Sequence, residues 1–238
     1  FTVTRTMPLG VFSLMATNLS TTTPFGSRDA VGSVNFLVVF GSIILLTVLG
    51  WIFGSLFFRS VANAALKQSN QPGIFRSIMH GVLLSLIWML IIILSYLPII
   101  IIVFLVSMLD GIIKSILLIL LSIPAAWILL MIYYSFFGIF ANSQNALAST
   151  RTSIRMLRYG LPPLGWFTML VILISQVIDM LWRAAPADSW MMGVGIFGHA
   201  FVSTSLLAAS FIYFKELNSW IETALEWIQQ QKKSSAQV

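Results

Sequence analysis

Hydrophobic positions along this chain come in long unbroken runs rather than in stripes. Five runs stand out, over residues 33–58, 79–108, 112–140, 164–181 and 191–214. Each is close to or above the ~20 residues an α-helix needs to cross the hydrocarbon core of a bilayer. None shows the period-two alternation of a membrane barrel strand. A backbone in lipid must satisfy its own N–H and C=O groups, and within one segment only a helix does so. The pattern predicts an all-α, polytopic transmembrane helical bundle with about five spans. Pro98 lies inside the second run and Pro124 inside the third, and a kink is expected at Pro98.

The polar stretches divide the chain further. Residues 1–32, rich in Thr, Ser and Gly and interrupted by Pro8 and Pro24, read as an irregular or interfacial arm; Asn18-Leu19-Ser20 within it is a glycosylation sequon of a kind common by chance. Residues 33–214 form the transmembrane bundle. Residues 215–238 form an amphipathic tail, in which Leu217, Trp220, Ile221, Ala224, Leu225 and Ile228 share one side and Glu222, Glu226 and Gln229 lie away from it. That tail is expected to extend the last span and dock at the interface, or to bind a partner helix.

Composition agrees with a lipid environment. The 238 residues are 58% hydrophobic and 8% charged, and the mean hydropathy is +0.96. Soluble domains carry about 25% charged residues, so this chain lacks the polar surface to face water, and five spans leave no length for a separate soluble domain. There is no cysteine, which excludes disulfides, thiolate metal sites and cysteine nucleophiles within the chain. The net charge of +6 sits in Lys and Arg residues bordering the spans. That placement favours orientation in the bilayer and contact with anionic headgroups over nucleic-acid binding.

The distribution of those charges gives an orientation. Arg59, Lys67, Arg76, Arg151, Arg155, Arg158, Lys215, Lys232 and Lys233 fall on one side of five spans, against Arg5, Arg28, Lys114 and Arg183 on the other. The positive-inside rule then puts the C-terminus in the cytoplasm and the arm outside a plasma or inner membrane. With an outside arm and a first residue that is Phe1 rather than Met, a further span or cleaved signal is expected upstream. Asp110 and Lys114, like Asp179 and Arg183, are four residues apart. These pairs read as neutralised helix ends, with an ion pathway as the competing reading.

Candidate chemistry is sparse. The chain has no HExxH, GxSxG or Walker loop and no paired carboxylates within a run. The ionisable group nearest mid-span is His199, flanked by Gly193, Gly195 and Gly198 and by Ser203, Thr204 and Ser205. An interhelical hydrogen bond in a small-residue seam is one role for it; ligation of a pigment, haem or metal is the other. Two histidines, with His80 near the end of the second span, set no metal site by spacing, so no cofactor is expected. Gly50 and Gly54, like Gly195 and Gly198, are candidate helix-packing positions. Arg151, Arg155 and Arg158 form an i, i+4, i+7 stripe opposite the small residues Ala146, Ser149, Thr150 and Ser153. The small face should pack on the bundle, and the arginines, with Lys67 and Arg76, are candidates for lipid-phosphate or partner contact.

A short internal repeat accompanies these loops. Asn63-Ala64-Ala65-Leu66-Lys67-Gln68-Ser69 and Asn145-Ala146-Leu147-Ala148-Ser149-Thr150 each follow an aromatic-rich span end and precede a Gly/Pro turn and a new span. Over residues 53–175 the arrangement resembles a loose group of bacterial multi-pass membrane proteins. That group includes the YciC-like families and the membrane domain fused to glycerophosphodiester phosphodiesterases. Ala65-Leu66-Lys67-Gln68-Ser69 fits the Ala-Leu-(Lys/Arg)-x-Ser pattern of that group, and the second copy departs from it at Ala148 and Thr150. The resemblance implies a helical bundle of about six spans and carries over no catalytic residue. The function expected is therefore that of a non-enzymatic integral membrane subunit that scaffolds or anchors an assembly of other membrane subunits. The alternatives are a transporter or permease component, and a pigment- or haem-binding subunit using His199.

Overall fold

Long apolar segments with few breakers become helices throughout. The computed structural model describes residues 22–23, 26–27, 36–67, 73–108, 111–182 and 189–235. Five helices result: α1 (Phe36–Leu66), α2 (Ile74–Ser107), α3 (Gly111–Ala141), α4 (Ala146–Trp182) and α5 (Met191–Ser235). All five are long and apolar enough to cross a membrane, so the chain is an all-α polytopic bundle. Beside them stands a two-residue antiparallel pair, β1 (Thr22–Thr23) with β2 (Gly26–Ser27), in which Thr22 faces Ser27. The sequon at Asn18 and the pair partners Asp110 and Arg183 lie outside the described residues.

Hydrophobic runs mark where lipid is, not where helices stop. α1 continues through Asn63–Leu66, α2 starts at Ile74, and α5 runs unbroken for 45 residues, about 67 Å at ~1.5 Å per residue. The hydrocarbon core is only ~30 Å thick, so α5 carries the tail out of the membrane as a continuation of its own span. The backbone also runs helically through Pro98 and Pro124.

The Gly160-Leu161-Pro162-Pro163 segment, expected as a turn, lies inside α4 instead. Gly160 alone leaves helical geometry (φ −124°, ψ 22°). Pro162 and Pro163 follow in the next turn, where a missing N–H costs little because the break has already removed the donor's partner. The bend is large. Ser149 and Thr168 are 19 positions apart on α4, or about 28 Å if straight. Yet Ser149 donates to the Ser135 carbonyl and Thr168 bonds the adjacent Tyr134. α4 is thus a short arm, 146–159, folded over the basic end of the bundle, followed by a span, 161–182.

The packed core gathers at that same basic end. Val61 and Ala62 of α1, Phe136, Phe137 and Phe140 of α3, Met156 of α4 and Phe211, Phe214 and Ile221 of α5 are all buried. Phe137 lies 4.7 Å from Phe211 and 5.8 Å from Phe214 between ring centroids, and Phe58 lies 6.1 Å from Phe211. Three consecutive residues of α3 tie this end to three other helices. The Tyr133 hydroxyl donates to Ser210 of α5 (3.3 Å), Tyr134 pairs with Thr168 of α4 (2.8 Å), and Ser135 Oγ accepts from Trp88 Nε1 of α2 (3.0 Å). In lipid no water competes for such groups, so each bond fixes a helix at a given rotation.

The far end is different. Only 6% of the most apolar stretch of α1, of α2 and of α3 is buried. Phe36, Leu37, Leu45 and Leu46 of α1, Ile93, Leu94 and Phe104 of α2, and Ile112, Ile119 and Leu129 of α3 are all exposed.

Candidate functional site

The polar chemistry of the chain concentrates where α2 begins and α3 hands over to α4. α3 ends in a turn over residues 142–145. The Gly138 carbonyl accepts from the amides of both Asn142 and Gln144 (3.2 Å each). Ser143 takes a left-handed conformation (φ 54°) to allow this fold-back, a geometry that costs a residue with a Cβ. The turn places Gln144 against α3 and Asn145 at the head of α4, where the Asn145 carbonyl accepts from Ser149 N–H (2.9 Å). Its side chain is taken up elsewhere: Arg76 Nη2 donates to Asn145 Oδ1 (3.0 Å).

Gly138 makes this junction possible. A Cβ there would collide with Ser149 Oγ and stand 2.7 Å from Gln144 Oε1. Nothing in the sequence pattern singled it out, since it lies in an apolar run with no second glycine at i±4. Gly81 plays the matching part between α2 and α1, where a Cβ would collide with Ser55 Oγ. By contrast Gly50 has open space on its Cβ side, so among the described residues nothing packs closely at that glycine. Gly54 and Gly195 are buried and Gly198 is half-buried.

Between α2 and this turn lies a tight recess lined by Arg76, Ser77, His80, Ile139, Ser143 and Gln144. Among the described residues, Ser77 Oγ, His80 Nδ1 and Gln144 Oε1 are buried without a hydrogen-bond partner. Arg76 stands exposed at the rim.

The arginine stripe divides on folding. Arg151 and Arg158 are exposed, and Arg158 lies over the Tyr159 ring at 5.7 Å. Arg155 turns toward α5, donating to Glu222 Oε1 (2.7 Å) and Asn218 Oδ1 (3.1 Å). It therefore clasps the tail to the α4 arm, beside Gly160, whose Cβ position is 3.4 Å from both Leu217 and Ile221. Equal helical spacing hid this, because only the facing helix decides which arginine finds a carboxylate. The opposite small face does pack: Ala146, Ser149 and Ser153 are buried and Thr150 is half-buried. Lys67 is exposed just past α1 with a left-handed backbone (φ 46°).

The two copies of the loop repeat occupy opposite helix ends. Asn63–Leu66 closes α1, whereas Ala146–Thr150 opens α4. His199 is 9% exposed in α5, and its Nδ1 stands 4.0 Å from Asp179 Oδ1 of α4. That is a charge-range contact rather than a hydrogen bond, and helix spacing pointed Asp179 elsewhere, to Arg183. Among the described residues, no three His, Cys, Asp or Glu side chains converge as metal ligands would. No protein-family model, curated protein or solved structure matches the chain.

Proposed function

We propose that this chain is a non-enzymatic subunit that anchors or scaffolds a larger assembly in the cell membrane, with its arm outside and its tail in the cytoplasm. The observation that carries this reading is the contrast between the two ends of the bundle. One end is locked by an aromatic core and by the hydrogen bonds of Tyr133, Tyr134 and Ser135. At the other, α1, α2 and α3 stand with apolar side chains uncovered on every face. Transporter sites sit near the midplane between closely packed repeats, and half a bundle without packed walls encloses no such site by itself. Helices bare on all sides are suited to contact with other membrane helices. The resemblance to YciC-like membrane proteins is compatible with this reading.

A transporter component is the second reading, favoured by Asp179 beside His199 inside two spans. Ionisable groups at depth in a membrane commonly mark ion or substrate paths.

Purification from native membranes in mild detergent, followed by mass spectrometry and an absorption spectrum, tests these. The expected outcome is a reproducible set of co-purifying membrane proteins and no visible-range band. A partner-free protein that carries substrate flux into liposomes replaces the first reading with the second. A visible band lost in His199→Ala replaces both with a pigment- or haem-binding subunit.

A further inference from the structure

We propose that the recess between the start of α2 and the α3–α4 turn binds a phosphate oxyanion. The starting point is an imbalance. Buried polar atoms nearly always have a partner, because leaving one unmade costs its full desolvation. Here three unpartnered atoms, Ser77 Oγ, His80 Nδ1 and Gln144 Oε1, line one recess. Ser77 is 1% exposed, so bulk water does not satisfy it.

The chemistry of the lining selects the ligand. Among the described residues, no carboxylate borders the recess. Arg76 at its rim spends one Nη2 contact on Asn145 and has further guanidinium donors in a fork that matches phosphate oxygens. The Ser77 hydroxyl donates, an imidazole donates from whichever nitrogen carries the proton, and the carboxamide of Gln144 presents its NH2 after a flip. The recess also sits at the head of α2. The residue before that helix is Gly73, which has no side chain to cap it. Donors from the first two turns of α2 and from the 142–145 turn thus converge on one small volume.

The recess is too tight to engulf a molecule, so the phosphate sits at its mouth. Opening that mouth, so that the buried Ser77 hydroxyl reaches the phosphate, requires Arg76, which is exposed, to swing from Asn145. The phosphate comes either from a lipid headgroup or from free phosphate; the site chemistry is shared.

Native mass spectrometry of the full chain in detergent tests this, titrating inorganic phosphate and, separately, short-chain phosphatidylglycerol. Expected is saturable one-to-one binding of at least one of them. Arg76→Ala and Ser77→Ala should each weaken it about tenfold or more, as for loss of a hydrogen bond to a charged group. Lys215→Ala, an exposed lysine of α5 at the same end of the bundle, should change it less than about twofold, as diffuse surface charge does. Lipid binding that inorganic phosphate fails to displace assigns the headgroup; the reverse assigns free phosphate. Should Arg76→Ala prove unstable, Arg76→Lys keeps the charge and removes the fork, and it should still weaken binding. The proposal fails if neither probe binds saturably, if Lys215→Ala weakens binding as much as Arg76→Ala, or if Ser77→Ala leaves it unchanged. Its failure leaves the scaffold reading untouched, since that reading rests on the other end of the bundle.

Discussion

Two glycines with similar sequence surroundings have opposite standing. Gly138 is hemmed in by Ser149 and Gln144, while Gly50 faces open space. Gly138→Ala must therefore push the α4 arm off α3 and disturb the Ser149–Ser135 contact. Overpacking of this kind costs about 1–3 kcal/mol. Gly50→Ala meets no neighbour and should be neutral or slightly stabilising, since alanine is the better helix former. Thermal unfolding of the detergent-solubilised variants checks both. A Gly50→Ala protein as destabilised as Gly138→Ala would show that Gly50 packs against something outside the described residues, such as a second subunit. The G-x-x-x-G spacing made Gly50 visible in the sequence. Gly138 was not visible, because its need comes from a side chain eleven residues later that meets it only after the chain has turned. The recess was half-legible for the same reason: Arg76 and His80 stood out, but Ser77 and Gln144 acquire meaning only once the 142–145 turn brings α3's end against α2.

Among the helices, α4 departs furthest from its sequence signal. Hydropathy locates its span after residue 164, yet the helix begins at Ala146 and bends at Gly160. A window of hydrophobicity reports the solvent, while propagation of a helix needs only a partner face and the absence of a break. Residues 146–159 have such a face, and the tail of α5 is the partner. Arg155, Glu222 and Asn218 hold the two together. The ion pair is partly exposed, with side chains 35% and 48% accessible, so its worth in global stability is at most ~1 kcal/mol. Its effect should show locally instead. Arg155→Ala is expected to raise the rate of proteolysis within 215–235 several-fold, whereas Arg151→Ala leaves it unchanged. Combining Arg155→Glu with Glu222→Arg should restore part of the protection. A tail equally protected in Arg155→Ala would place the docking in Leu217 and Ile221 alone. The amphipathic pattern of 217–228 was readable in sequence, but Trp220 and Ile228, placed on the same side as Leu217, are exposed. A helix packed against one narrow arm covers less than the stripe its sequence offers.

At the scale of the molecule, charge and packing share one polarity. Arg59, Arg76, Arg151, Arg155, Arg158 and Lys215 all belong to the end that carries the aromatic core, the bent arm and the recess, and the bare apolar helices point away from it. An asymmetric charge distribution sets orientation during insertion, so the packed end should face the cytoplasm. Span number follows from composition alone and required no tertiary contact, which is why it was legible. The concentration of the core at one end was not, because equally apolar runs read alike whether lipid or protein surrounds them. The absence of cysteine makes the orientation testable without background. Single-cysteine variants Ser20→Cys and Ser234→Cys, probed in intact cells with a membrane-impermeant maleimide, should separate cleanly. Ser20→Cys is expected to react from outside, and Ser234→Cys only after the membrane is opened. The opposite pattern would invert the orientation, put the recess on the outer surface, and remove the cytoplasmic leaflet as the source of any lipid phosphate it holds. Reaction of both positions from outside would mean an even number of crossings, and α4, bent and least apolar over its first half, would be the first helix to re-examine.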